Sequence, residues 1–479
     1  MNNQSDVLDE INKFAKELAK EGLTKSDFTE QLSCLLFLKM ADESATRTLK
    51  PERIIDEKYS WGSLNQRDGE DLEKFYEELV RDLGKQQGQV GVIFRHAKNN
   101  ISRPAQLKRL ISDLIGSHNW SGMSPRVRGV VFEGLIEETV RDSKSKAGEH
   151  FTPRPLIAAL VDCMQLSTTD SICDPACGTG GFLLAAYEYV SSISNELTHD
   201  ERVHLQVDFL RGFDKIEKRA RLAQMNLLMN GISRPGSQAL IEQRDSLLAD
   251  PGERWSVVMS NPPFANRSST EDGQISREDF QTVTLSNAAN FLQHVKTVLK
   301  VNGRAVVLVP DNLLFDGSFT KLRQGLLHDC ELHTILRLHP GIWHKPGVKV
   351  NALFFEKRPA SQSPWTSRVW FYDFRTNLNF SPKKAPLGRS DLDDFVTCFE
   401  PGNRSRRVES ERFKSFTYEE IIARTDLNLD IFWLEDESVE DVRDLPPPEV
   451  IIDEMLSILD EAINGLKQIR KVVTHGREV

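Results

Sequence analysis

Apolar residues recur every three or four positions through the first 145 residues of the chain. Val7, Ile11, Phe14 and Leu18 lie on one helical stripe, and Gly22 is placed to stop that helix. Ser26 and Asp27 are candidate caps for a second helix carrying Phe28, Leu32, Leu35, Leu36 and Met40. Further amphipathic stretches run over about 72–83, 105–115 and 130–140. They carry no catalytic constellation, so residues 1–145 are expected to form a helical module for docking or for clamping a substrate. Residues 143–148 are small and polar and read as a mobile linker.

Beyond the linker the period changes. Short apolar runs at 171–174, 209–214, 239–244, 256–260, 305–310, 334–338, 352–356 and 369–374 read as strands, with helical stretches at 183–192, 218–230 and 287–299 between the earlier ones. This alternation predicts an open, mostly parallel α/β sheet over 146–445. Residues 265–285 are polar and fit a mobile loop. After Pro446-Pro447-Pro448 a last helix carries a seam of Ile452, Met455, Leu459, Ala462, Leu466, Ile469 and Val473, in alternating steps of three and four. Acids lead this helix and bases close it, as its dipole favours. It either packs on its own domain or offers the seam to a partner's coiled coil, and the proline hinge favours the second. The expected third unit is therefore 446–479.

At 479 residues the chain is too long for one core. Its 39 % apolar and 28 % charged residues are ordinary for a soluble globular protein. No apolar run approaches the roughly 20 residues a membrane span needs, and the first residues have neither a basic nor an apolar signal region. A cytoplasmic protein is expected. The six cysteines show no Cys-x-x-Cys spacing and no completing histidine, so they read as reduced core thiols and no metal is expected. A net charge of −10 argues against a self-sufficient nucleic-acid binder. Basic clusters do occur, at Arg103, Lys108 and Arg109, at Arg126 and Arg128, and at Arg404, Arg406, Arg407, Arg412 and Lys414. They read either as solvated faces or as phosphate contacts that a partner must supplement.

Three motifs carry the candidate chemistry. Asp174-Pro175-Ala176-Cys177-Gly178-Thr179-Gly180-Gly181 ends a strand and opens a helix. Its glycines allow a tight turn and close approach of a ligand to the backbone. No G-x-x-x-x-G-K-[ST] occurs, which excludes a P-loop. Asp214 closes the second strand and could accept both ribose hydroxyls of a nucleoside, or simply be a solvated or capping acid. Asp245 closes the third and could accept from an adenine amino group, or cap a helix. Upstream, Phe151-Thr152-Pro153 precedes a helix whose N-terminus, with Thr152, could bind a carboxylate. Finally, Asn261-Pro262-Pro263-Phe264 directly follows the fourth strand. An amide oxygen, a stiffened backbone carbonyl and an aromatic face suit a weakly nucleophilic planar amino group.

In this order the motifs resemble those of the amino-methyltransferases of DNA, in particular the N6-adenine class in which the cofactor motifs precede the catalytic one. With the helical N-terminal module and the heptad tail, nearly the whole chain resembles the modification subunit of type I restriction–modification systems. The resemblance implies a Rossmann-like S-adenosylmethionine-dependent methyltransferase sheet. It implies a cofactor set of Phe151, Thr152, Asp174, Ala176, Gly178, Gly180, Gly181, Asp214 and Asp245, in which Thr152 holds the methionine carboxylate, Asp214 the ribose and Asp245 the adenine. Asn261, Pro262 and Phe264 are the implied catalytic residues. They would accept both protons of an adenine N6 amino group and stack on a base flipped out of duplex DNA.

The partners implied are double-stranded DNA, a DNA specificity subunit docking on 449–473, a restriction subunit, and a second copy of the chain. Three alternatives stand beside this reading. They are methylation of a protein glutamine amide, which also uses Asn-Pro-Pro and an aromatic, methylation of cytosine N4, and a non-catalytic assembly subunit on a relic fold.

Overall fold

In the computed structural model, residues 4–47, 54–142, 152–193, 197–233, 236–266, 275, 277–343, 349–382 and 384–435 are described. The N-terminal helices form where the apolar stripes place them. Helices Gln4–Ala19 and Lys25–Arg47 bury Val7, Ile11 and Leu18 on the first and Phe28, Leu32 and Leu35 on the second. The cap of the second helix is Thr24, not Ser26. Thr24 Oγ1 accepts from the Asp27 amide at 3.1 Å and donates to the Asp27 carboxylate at 2.7 Å. A capping oxygen must sit about three residues before the amide it serves, and Ser26 already lies inside the first turn. Helices Gly69–Leu83 and Pro125–Asp142 follow, and Pro104–Arg109 continues into a wider π turn at Leu110–Ile115. Two short helices, Trp61–Asn65 and Gly88–Phe94, span too few residues to show a period in the sequence.

Nine strands are found among the described residues: β1 (Ile172–Asp174), β2 (Leu210–Asp214), β3 (Ile241–Gln243), β4 (Trp255–Ser260), β5 (Leu299–Pro310), β6 (Cys330–Leu338), β7 (Val350–Lys357), β8 (Arg368–Phe374) and β9 (Phe413–Thr417). They form one sheet in the order β3-β2-β1-β4-β5-β7-β6-β8-β9. β7 pairs antiparallel with both β5 and β6, and β9 antiparallel with β8; the remaining pairs are parallel. The ninth strand escapes the pattern because Phe413-Lys414-Ser415-Phe416-Thr417 is a half-exposed edge strand with a lysine in it, directly after an arginine-rich run. Ile172 of β1 stands opposite Leu210 of β2 and Val257 of β4. Parallel pairing in this register brings the C-terminal ends of β1, β2 and β4 to one edge of the sheet, where α/β folds bind ligands.

The basic clusters are largely spent on the fold. Arg103 pairs with Glu21 at 3.1 Å and Arg109 with Glu17 at 3.1 Å. Lys108 donates to the carbonyls of Asn65 and Arg67, and the buried Arg128 to those of Met229 and Trp120. Arg404 pairs with Glu356 at 2.8 Å, the buried Arg407 donates to the Phe399 carbonyl, and Arg412 donates to the Thr376 carbonyl. These arginines hold secondary elements together; of the singled-out arginines Arg103, Arg126 and Arg406 remain exposed, and Arg103 is paired with Glu21.

Residues 433–479 make a second unit, of which only 433–435 are described. The expected heptad helix over 449–473 lies outside the described residues, as does the expected linker at 143–148. Among the described residues no helix is long and apolar enough to cross a membrane.

Helix Glu217–Met229 ties the helical module to the sheet. Ala220, Ala223 and Leu227 face the core of the sheet, while Met225, Leu228 and Met229 belong to the core of the N-terminal helices. Between these faces Arg221 is 2 % exposed. Its guanidinium pairs with Glu30 at 2.5 Å and donates to the carbonyls of Ile93 and Arg95. Lys218 pairs with the same Glu30 and with Asp27, each at 3.0 Å. Removing one partner of a buried pair strands the other charge away from water. Glu30→Ala is therefore expected to lower unfolding stability by about 3 kcal/mol or more, measured by chemical denaturation. A change below about 0.5 kcal/mol, the scale of exposed pairs, would show that water reaches Arg221.

Candidate active site

β1 runs into the turn 175–180, and helix Gly181–Ile193 leaves it. Gly178 and Gly180 take φ of +56° and +82°, in the left-handed region that side chains disfavour. The turn is fixed from below: the Cys177 amide donates to the Phe213 carbonyl at 2.9 Å, and Asn226 Nδ2 donates to the Thr179 carbonyl at 3.0 Å. The glycines differ in what a Cβ would meet. At Gly180 it would contact Ala223 at 3.5 Å and at Gly181 Ile157 at 3.0 Å, so both permit close helix packing. At Gly178 it would meet nothing within 4 Å, and that position opens onto free space above the turn.

Three carboxylates from three strand ends surround this turn. Asp214 accepts from the Gly178 amide at 3.1 Å and from the Ile216 amide at 2.7 Å, so one side chain joins the ends of β1 and β2. Asp245 accepts from the Leu247 amide at 3.1 Å and pairs with Lys215 at 3.3 Å; it caps a turn, and no helix follows it. The neighbouring Ser246 donates to the Pro175 carbonyl at 2.7 Å, holding this turn against the glycine turn. Asp174 is 2 % exposed and accepts from the Ala176 amide at 3.0 Å and from Ser260 Oγ at 2.7 Å. Burial pushes its carboxyl up to about 7, the nearby Asp214 charge adds to the rise, and the two hydrogen bonds only partly oppose it.

Asn261 leaves the end of β4, and its Nδ2 donates to Thr152 Oγ1 at 2.8 Å. Thr152 is buried, two residues before helix Arg154–Met164. Pro262 is buried, and Phe264 is half-buried against the core of the sheet. The chain is then tied down, because Asn287 donates to the Ala265 carbonyl at 2.6 Å and Asn266 bridges to Ser286. Of the loop between them, residues 267–274 and 276 lie outside the described set. Ile275 and Phe280 are buried with Leu247 and Phe291, and Ala176 packs on that cluster, so the described part of this loop is anchored beside the glycine turn. Phe151 lies outside the described residues.

The fold thus gathers Thr152, Asp174, Ala176, Gly178, Asp214, Asp245 and Asn261 along one edge. Reading the sequence missed Ser260, the hydroxyl that joins Asp174 to the residue before Asn261. Its signal is a hydroxyl that ends the strand immediately before the motif, after the apolar run Val257-Val258-Met259. Among the described residues no group of three or more His, Cys, Asp or Glu is placed to hold a metal ion.

The family model of the N-6 DNA methylases matches residues 124–440, and that of the HsdM N-terminal domain matches residues 8–114. The chain belongs to the N-6 DNA methylase family. This methylase is 32 % identical to the type I restriction enzyme StySJI methylase subunit of Salmonella typhimurium, over 99 % of this chain and 97 % of that one. It is 31 % identical to the EcoKI methylase subunit of Escherichia coli, over 98 % and 95 %. The crystal structure of the EcoKI M protein superposes with a TM-score of 0.56 at 29 % identity, covering 96 % of this chain and 95 % of that one. The match therefore extends through the helical module as well as the sheet.

Asp174 makes the stability of the methylase depend on pH. Its folded pKa lies above the unfolded value of 3.8, so the folded state keeps a proton that the unfolded chain releases. Stability is full below the unfolded value and is lost as pH rises through about 7. The loss reaches at most about 4 kcal/mol. Asp174→Asn keeps one acceptor oxygen, which suffices because the Ala176 amide and Ser260 Oγ both donate to Oδ1, and it removes the titration. Denaturation between pH 5 and pH 8 is expected to show a downward slope in the wild type that is flatter in the variant. Equal slopes would place the titrating group elsewhere.

Proposed function

We propose that the chain is the modification subunit of a type I restriction–modification complex, transferring methyl from S-adenosylmethionine to adenine N6 in double-stranded DNA. One observation carries the reading: the Asn261 amide is hydrogen-bonded at 2.8 Å to Thr152, on the sheet edge that also presents Asp174, Gly178 and Asp214. Family membership supports the adenine class over the glutamine and cytosine alternatives.

The residues present fit the cofactor. The space above Gly178 would be filled by a Cβ, which suits a ligand lying against bare backbone. Asp214, fixed at the end of β2, would accept the ribose hydroxyls, and Asp245 would meet the adenine. Asp174, with its carboxyl raised to about 7, would be held in its ionised form by the positive charge of a methionine moiety bound at this turn. When bound, S-adenosylmethionine supplies an electrophilic methyl on a sulfonium.

The chain's own part is to make an amino group nucleophilic. The adenine N6 lone pair is delocalised into the ring. Asn261 Oδ1 and the Pro262 carbonyl accept its two protons, favouring the tetrahedral, positive nitrogen of the transition state. Phe264 stacks on the extruded base and offsets part of its unstacking, which costs a few kcal/mol. Alignment of nitrogen with the methyl supplies the remainder.

The relatives are named as subunits of type I restriction enzymes. A specificity subunit docking on 449–473, a restriction subunit and a second copy of the chain complete the proposed assembly. The consumption of the basic clusters by internal pairs supports a partner that supplies phosphate contacts.

Asn261→Ala is expected to reduce methyl incorporation into duplex DNA by about a hundredfold or more, with cofactor binding and melting temperature nearly unchanged. Wild-type incorporation would remove the catalytic assignment. Deleting residues 449–479 is expected to release the specificity subunit on size-exclusion chromatography. Co-elution of the truncated chain would rule out docking through that helix.

A further inference from the structure

The side chain of asparagine has two ends of nearly equal shape and opposite hydrogen-bonding character. Only one of its two orientations serves the proposed transfer. With Oδ1 toward the target amino group, the amide accepts a proton. Turned by half a rotation, it presents N–H donors to N–H donors, and the nucleophile is repelled. A threonine hydroxyl can accept from the amide nitrogen or donate to the amide oxygen, so a bond to it fixes where the amide lies, and only the arrangement in which it accepts leaves Oδ1 for the target.

In this structure Asn261 Nδ2 donates to Thr152 Oγ1 at 2.8 Å. Thr152 comes from the segment leading into helix Arg154–Met164, 109 residues upstream, and is 8 % exposed. Ser260, the residue before Asn261, is held in turn by Asp174 at 2.7 Å. The catalytic turn is thus fixed twice, through its side chain by Thr152 and through its preceding hydroxyl by Asp174.

We propose that Thr152 is a positioning residue for the reaction: its hydroxyl engages the amide nitrogen of Asn261 and so presents Oδ1 to the adenine amino group. The inference rests on the proposed methyl transfer and differs from the cofactor-carboxylate role that the sequence pattern implies for Thr152. The two roles separate kinetically. An orienting hydroxyl acts on kcat, whereas one that only holds the cofactor acts on the cofactor's KM.

The test is methyl incorporation from radiolabelled S-adenosylmethionine into duplex DNA by the assembled complex, with wild type, Thr152→Val, Thr152→Ala and Thr152→Ser. Loss of one neutral hydrogen bond is expected to lower kcat about tenfold in the Val and Ala variants. The cofactor KM should stay within about twofold of wild type, since the lost interaction is not to the cofactor. Serine, which keeps the hydroxyl, should restore most of kcat. The Ala variant introduces no bulk and reports the same loss if valine disturbs folding, which thermal melting checks.

A raised cofactor KM with wild-type kcat would overturn the proposal, as would wild-type values throughout. So would a serine variant as slow as the valine one. Asn261→Ala, assayed alongside, separates the two levels of the argument. If it is inactive while Thr152→Val is normal, only the positioning role fails. If it retains full activity, the methyl-transfer reading fails.

Discussion

Parallel pairing of β1 with β2 on one side and β4 on the other is the constraint on which the rest of the site depends. Ile172 faces Leu210 and Val257 across the two ladders, and from that register the ends of all three strands reach the same edge. Side chains alternate along a strand, so a slip of one residue would turn Asp174 or Ser260 to the opposite face and break their hydrogen bond. The glycine turn, the Asp214 bond to Gly178 and the Asp174 bond to Ser260 all follow from that arrangement. The two hydrogen bonds span 36 and 86 residues of sequence, so neither is a local property of the chain.

Helix Glu217–Met229 turns this edge into part of a larger body. One helix lies in two cores, and its polar residues are spent on both. Arg221 reaches the carbonyls of Ile93 and Arg95 in the helical module, Gln224 accepts from the Leu240 and Ile241 amides of the sheet, and Asn226 holds the Thr179 carbonyl under the glycine turn. A helix hydrophobic on one face only would need a single partner layer; this one is buried nearly all round. The module that appeared separable at residue 145 therefore shares packing with the element that supports the turn at 175–180.

The same economy explains the charges. A chain with net charge −10 that belongs to a DNA-modifying family uses its arginines as internal ties, pairing them with carboxylates or aiming them at carbonyls that end helices and strands. Arginine suits this because its planar fork satisfies several acceptors at once while staying charged. Clustering along the sequence therefore misstates where positive potential lies on the surface.

Local pattern by itself determined most of the elements. Eight of the nine strands, the long helices and the three motifs are legible from apolar period, glycine and proline placement and strand-end acids, because each depends on residues within a few positions. The exceptions have local reasons too. β9 is short and half-exposed with a lysine in it. The second helix is capped from Thr24 instead of Ser26 because capping is decided by reach to an amide. What only the tertiary structure decided is which residues meet. The Thr152 hydroxyl beside the Asn261 amide, Ser260 beneath Asp174, Gly178 alone among its neighbours facing open space, and a helix shared between two cores are contacts between distant segments. Sequence spacing cannot encode them directly, because they arise when sheet register and helix packing bring the chain back on itself.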